Sequence, residues 1–118
     1  MHYRGSAMQL EAILPKGQTQ LLTDVPHFIW TWQITYPYKY QPAFPKGTML
    51  HSIAWHDNSA GNKENPDPTA FVAGGPRTVD EMNIGWLDFY YISDEEYTQV
   101  SKEQKAREDA KNTGANQQ

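Results

Sequence analysis

The segment FIWTWQITY (residues 28–36) decides how this chain is read. Phe28, Trp30, Trp32, Ile34 and Tyr36 recur with a period of two, opposite Ile29, Thr31, Gln33 and Thr35. That is the pattern of a strand with one buried face. A helix would spread those rings around its cylinder, whereas a pleated surface stacks aromatic and β-branched side chains on one side.

Neighbouring segments extend the same reading. Met8, Leu10, Ala12 and Leu14 share a face against Gln9 and Glu11, and Pro15-Lys16-Gly17 reads as a turn that sends residues 18–22 back as a hairpin arm. Pro37, Pro42, Pro45 and Gly47 break the chain into a loop. Residues 48–56 then form another strand with Met49, His51, Ile53 and Trp55 on one face. DNSAGNKENPDP (residues 57–68) is a loop by its turn-forming composition. GGP at 74–76 is a further break, and residues 84–92 are apolar at both parities, as in a central strand covered on both sides.

Ser93 and Glu96 make a capping box, and the pattern predicts a helix from 94 to about 111 with a thin apolar stripe at Tyr97 and Val100. Acids lead and bases follow along it, with Glu103 and Arg107 placed to pair at i,i+4, and residues 112–118 read as a frayed end. The expected fold is all-β: a jelly-roll-like β-sandwich over 1–93, followed by a C-terminal α-helix in a helical, partly disordered tail over 94–118.

At 118 residues the chain supports one domain with a modest core, and its 13% aromatic content is too high for a disordered polymer. A formal charge of −4 without a basic stripe argues against nucleic acid as a partner. With no cysteine, disulfides and thiolate metal sites are excluded. No apolar run approaches the roughly 20 residues of a membrane span, so no transmembrane segment is expected. MHYRGSAMQ lacks the apolar stretch of a signal peptide.

The residues that carry chemistry are few. The histidines at 2, 27, 51 and 56 have no same-strand or same-helix partner at ligand spacing, so each reads first as a surface or hydrogen-bonded side chain. Asp80-Glu81 with Asp57 or Asp67 has the composition of an acid–base pair, although adjacent carboxylates ordinarily solvate a loop. The oxygen-rich 57–67 stretch matches no EF-hand spacing, and turn chemistry explains it better than Ca²⁺.

The segments MHYRGSAM, LPKGQTQLLTDVPHFIWTWQITY, FPKGTMLHSIAWHDNSAGNKENPDP and TVDEMNIGW together resemble bacterial proteins related to the C-terminal domain of copper type II, ascorbate-dependent monooxygenases. The relatives include the peptidylglycine α-hydroxylating enzymes. The likeness covers about residues 1–92, and its most specific parts are residues 55–68 and the DEM triplet at 80–82. It implies a jelly-roll domain whose copper activates O₂ and is held by a His-x-His pair and a methionine. Met82 matches that methionine and His2 the second histidine, which puts the first one residue before Met1. Imidazole and thioether form a soft set suited to Cu(I), and Asp80 or Glu81 is placed to orient a histidine ring.

The chain departs from that pattern in several places. Ser6 stands where the family has a basic residue, FVAGGPRTV replaces a stretch that commonly carries Trp and Gly, and Ile84 and Trp86 occupy positions that hold peptide substrate as Asn and Tyr. Peptide amidation is therefore not expected. With one histidine and the second copper domain lying outside the chain, it is expected to be inactive in isolation, and Met1's α-amine with His2 would make only a weak chelate. The family's location implies a periplasmic or otherwise extracytoplasmic protein, exported through a segment not contained here. The other reading is a non-catalytic structural or docking subunit of a larger, membrane-associated assembly. In both readings the partners are other protein chains or an upstream domain.

Overall fold

A computed structural model describes residues 1–115, with side chains described through residue 110. It contains three strands, β1 (Gly5–Ile13), β2 (Thr19–Val25) and β3 (Met49–His56), followed by the helix α1 (Asp94–Ala115). The strands form one antiparallel sheet in the order β2-β1-β3. The centre of the sheet is thus β1, whereas the sequence pattern assigned a central strand to residues 84–92.

The hairpin forms where its turn chemistry places it. Gly17 takes a φ of 83°, a left-handed conformation that suits glycine. Its N–H donates to the Leu14 carbonyl at 2.8 Å, and Leu14 N–H donates to the Gln18 carbonyl at 2.8 Å. A bulge between Leu10 and Glu11 and a second irregularity between Gly5 and Ala7 interrupt the two ladders of β1. Such bulges sharpen the local twist. The second one lies beside the turn that carries His2.

The two aromatic segments expected as strands do not enter the sheet. Residues 28–36 hold a single turn, in which Trp32 N–H donates to the Ile29 carbonyl at 2.9 Å, and residues 84–92 form no ladder. Period-two alternation reports which side chains share a face, but a strand also needs a neighbour for its N–H and C=O groups. Among the described residues, the 28–36 segment touches the sheet through one backbone bond, Phe28 N–H to the Ser6 carbonyl at 2.9 Å, and neither segment forms a ladder.

The result is a sheet with a thin core. Among the described residues Ala12 is fully buried, no large side chain is, and Phe71, Trp86 and Tyr91 are each more than nine-tenths exposed. The accessible surface is 9304 Å², against roughly 6,500 Å² expected for a folded monomer of this mass. The three-stranded sheet and the helix are what the structure establishes of the fold.

The capping box forms as expected: Glu96 N–H donates to Ser93 Oγ at 3.2 Å, and Ser93 N–H donates back to Glu96 Oε2 at 2.9 Å. Asp94, Glu95 and Glu96 fill the first turn, but the last turn holds no base. Glu103 accepts a hydrogen bond from Gln99, not the expected pairing with Arg107, and the Arg107 guanidinium lies 4.8 Å from the Tyr40 ring centre. The helix also continues past 111 to Ala115, through the first part of the stretch expected to fray. The rest of that expected fraying, at 116–118, lies outside the described residues. Ser93→Ala removes the cap and is expected to cost the helix about 1 kcal/mol. The loss is read as reduced helical circular dichroism at 222 nm, with the sheet signal unchanged.

Candidate metal centre

His2 and the DEM triplet meet at Asp80, beside the start of β1. The chain turns sharply before β1, with Gly5 N–H donating to the His2 carbonyl at 2.9 Å. That turn presents the His2 ring to residues 79–80, and His2 Nδ1 lies 3.2 Å from the Asp80 backbone oxygen. A carbonyl oxygen only accepts, so Nδ1 carries the proton and, in the neutral ring, Nε2 keeps its lone pair. Met82 follows two residues later and is half-buried.

Asp80 is itself locked in place. Its carboxylate accepts from Arg77 Nε at 3.0 and 3.1 Å, from Arg77 Nη2 at 2.7 Å and from the Arg77 backbone N–H at 3.0 Å. Asp80 N–H closes the turn on the Arg77 carbonyl at 2.8 Å. Glu81 is paired through its backbone, donating to the Ala73 carbonyl at 3.1 Å and accepting from Gly75 N–H at 3.0 Å. These contacts tie the DEM triplet to the Gly74–Pro76 break, which the sequence marked only as a turn.

The loop motif reaches the same place. Residues 57–69 are held by side chains bonding backbone two residues on: Asp57 to Ser59, Asn62 to Glu64, Asn65 to Asp67 and Asp67 to Thr69, at 2.8–3.3 Å. These are the turns the composition predicted. From this loop Asn58 Nδ2 donates to Glu81 Oε1 at 2.7 Å, so the DNSA and DEM motifs touch.

Three of the four carboxylates weighed as an acid–base pair are held toward the ionised form. The Arg77 hydrogen bonds hold the Asp80 carboxyl below the usual range, and hydrogen bonds from Ser59 and Thr69 do the same for Asp57 and Asp67. A general acid near neutral pH needs the opposite shift. The sign also fixes an acid response. Because Asp80 ionises more readily folded than unfolded, its pairing is fully present above the unfolded value, about 3.9 for an aspartate. It is lost as pH falls below that, through the lowered folded value. Protection of the 77–81 amides, referenced to the intrinsic exchange rate at each pH, is expected to fall as pH drops from 5 to 3. Arg77→Gln is expected to abolish that pH-dependent loss of protection.

Of the remaining histidines, His27 and His51 lie away from this turn and His56 beside it. His51 Nδ1 is 3.4 Å from Glu11 Oε2 on the exposed side of the sheet, and His27 is exposed. His56 pairs with Gly5 across the ladder, and its Nε2 is buried without a partner among the described residues. Those residues contain no group of three or more His, Asp or Glu side chains able to hold a metal. The donors the resemblance implies, the His2 imidazole and the Met82 thioether, are of a kind that suits Cu(I). A shallow cleft of about 290 Å³ between β2, residues 38–42 and α1 involves neither of them.

The sequence reading pointed to the side chains of Asp80 or Glu81 as orienters of a histidine. In the structure the orienter is the Asp80 carbonyl, while the carboxylate secures the turn that aims it. Arg77 and Arg4 were not singled out. Arg77 stands at i,i+3 from Asp80 beside a Gly-Gly-Pro break, a readable signal, whereas a buried Arg4 has no local signature.

Comparison with protein families, with characterised proteins and with solved structures finds no match for this chain. No helix among the described residues is long and apolar enough to cross a membrane.

Proposed function

We propose that this chain is a β-domain derived from the O₂-activating copper domain of an ascorbate-dependent monooxygenase. His2 Nε2 and the Met82 thioether are copper ligands in this reading. The observation that carries it is the His2 Nδ1–H bond to the Asp80 carbonyl. Metal-ligating histidines characteristically donate their second ring N–H to a carbonyl or carboxylate, which fixes the tautomer and aims the other nitrogen at the ion. Here the carbonyl belongs to the triplet that contains the second donor.

Bound copper would supply O₂ activation; the protein's part is to hold a neutral imidazole and a soft sulfur at one end of a rigid sheet. Two donors do not complete such a site. A further ligand and an electron source belong to another chain or domain, so the chain alone is not expected to hydroxylate a substrate. An extracytoplasmic location follows from the same reading. So does a jelly-roll-like sandwich, in which residues 28–36 and 84–92 acquire strand neighbours on assembly.

The test is a Cu(I) competition titration against a chromophoric chelator, on the wild type, His2→Ala and Met82→Ala. The reading expects one tight equivalent in the wild type and at least tenfold weaker binding in each variant. Binding unchanged by both substitutions would refute it.

A second reading, a non-catalytic docking subunit, is favoured by one observation. Trp86, Phe89, Tyr90 and Tyr91 are strongly exposed on a segment with no ladder partners, more apolar surface than a monomer ordinarily leaves in water. Sedimentation of the purified chain separates the readings. If Cu(I) binding is absent and Trp86→Ser with Tyr90→Ser abolishes self-association or complex formation, docking is the function.

A further inference from the structure

Arg4 is 4% exposed, a depth at which a charged side chain is rarely found unless it is bonded. Its guanidinium Nη1 donates to the Val79 carbonyl, and its Nε has no hydrogen-bond partner among the described residues. Its own carbonyl accepts the Asp57 N–H at 2.7 Å. The side chain therefore spans from the turn that carries His2 to the turn that precedes Met82. It does so while leaving part of its own donor capacity unused, an arrangement stability alone does not favour.

Two consecutive carbonyls are involved. Val79 accepts from Arg4, and Asp80 accepts from His2, with the turn at Arg77–Asp80 closed behind both. The His2 and Arg4 side chains leave the chain two residues apart and land on adjacent peptide groups. The Val79 carbonyl lies in the 79–80 peptide and the Asp80 carbonyl in the 80–81 peptide, so the two planes meet at the Asp80 Cα and only the Asp80 φ and ψ separate them. A charge-assisted bond on one carbonyl thus restrains the orientation of the next.

We infer that Arg4 is a positioning residue of the metal centre: by holding the Val79 carbonyl it fixes the Asp80 carbonyl, and so keeps His2 in the Nδ1–H tautomer with Nε2 free to bind Cu(I). This rests on the copper reading for its purpose, but the positioning itself is a property of the metal-free chain. Arg4 touches no reacting atom and acts through His2.

The experiment compares wild type, Arg4→Gln and Arg4→Lys by three readouts. These are the ¹⁵N chemical shifts of the His2 ring in the metal-free protein, the Cu(I) affinity by chelator competition, and the thermal midpoint. Arg4→Gln is expected to mix the two His2 tautomers and weaken Cu(I) binding by roughly 10–100-fold, the range found when a partner of a metal ligand is removed. Arg4→Lys keeps a charged donor for one carbonyl and is expected to retain the tautomer, with Cu(I) affinity within about threefold of wild type. A lowered thermal midpoint in Arg4→Gln with unchanged ring shifts would make Arg4 merely structural and overturn the inference. Should Arg4→Gln not fold, Arg4→Lys decides: a retained tautomer sustains the inference and a lost one overturns it. If the wild type binds no Cu(I), the copper reading fails, while the ring shifts still decide what Arg4 does.

Discussion

Gly5→Val is expected to lower the thermal midpoint by roughly 5–15 °C, corresponding to about 1–3 kcal/mol of overpacking. A Cβ at Gly5 would stand 2.8 Å from Met1 Cβ and 3.0 and 3.1 Å from two Phe28 ring carbons. The ring has some freedom to turn, but Met1 Cβ is bonded directly to the backbone, so relief requires the chain itself to move. Gly5 also closes the His2 turn through its N–H and opens β1 opposite His56. Displacement there spreads into both the ladder and the candidate centre. A thin core raises the consequence, since each kcal/mol is a larger share of a small total. An unchanged midpoint would mean that the packing of Met1 and Phe28 over Gly5 is not part of the folded state in solution.

The second large effect is expected for Asp80→Ala. It removes an acceptor that takes four hydrogen bonds from Arg77 and lies only 9% exposed. Without it the turn at 77–80 keeps one backbone bond, and the carbonyl that receives His2 loses its support. Hydrogen exchange across residues 74–82 is expected to rise sharply while the β1–β2 hairpin stays protected. Cu(I) affinity is expected to fall by roughly 10–100-fold. Asp80→Asn separates charge from shape: it still accepts one bond from Arg77, so an intermediate effect is expected on both readouts. Exchange confined to its wild-type level in Asp80→Ala would show that the carboxylate is not what holds the triplet.

Much of the sheet was legible because its signals are local. Pro15-Lys16-Gly17 specifies a turn, alternation on either side specifies the arms, and 48–56 is bounded by a Gly turn and a loop of side-chain-bonded turns. Ser93 and Glu96 satisfy each other within one helical turn. Residues 28–36 and 84–92 misled for a common reason. Their alternation and apolarity describe side chains suited to a pleated, covered surface, yet pairing is a long-range property and depends on which backbone lies alongside. The two segments expose rings that the pattern assigned to a core, which is why a sandwich is a proposal about assembly and not a description of the sheet.

The candidate centre was legible unevenly. His2 and Met82 entered through resemblance, and their sequence separation of 80 residues gave no hint of proximity on its own. What joins them is a histidine ring bonded to a carbonyl in the methionine's own triplet. Backbone acceptors carry no residue signature, so a reading built on side-chain types names carboxylates first. The same blindness hid Arg4, whose partner is also a carbonyl.

The most direct test of the copper reading is the copper K-edge X-ray absorption spectrum of the reduced, copper-loaded chain, recorded for the wild type and for Met82→Ala. The account predicts a sulfur scatterer beside imidazole nitrogen in the wild type. That scatterer should vanish in Met82→Ala while the imidazole contribution remains. A shell of nitrogen and oxygen alone in the wild type, or a sulfur signal that survives the substitution, would contradict it.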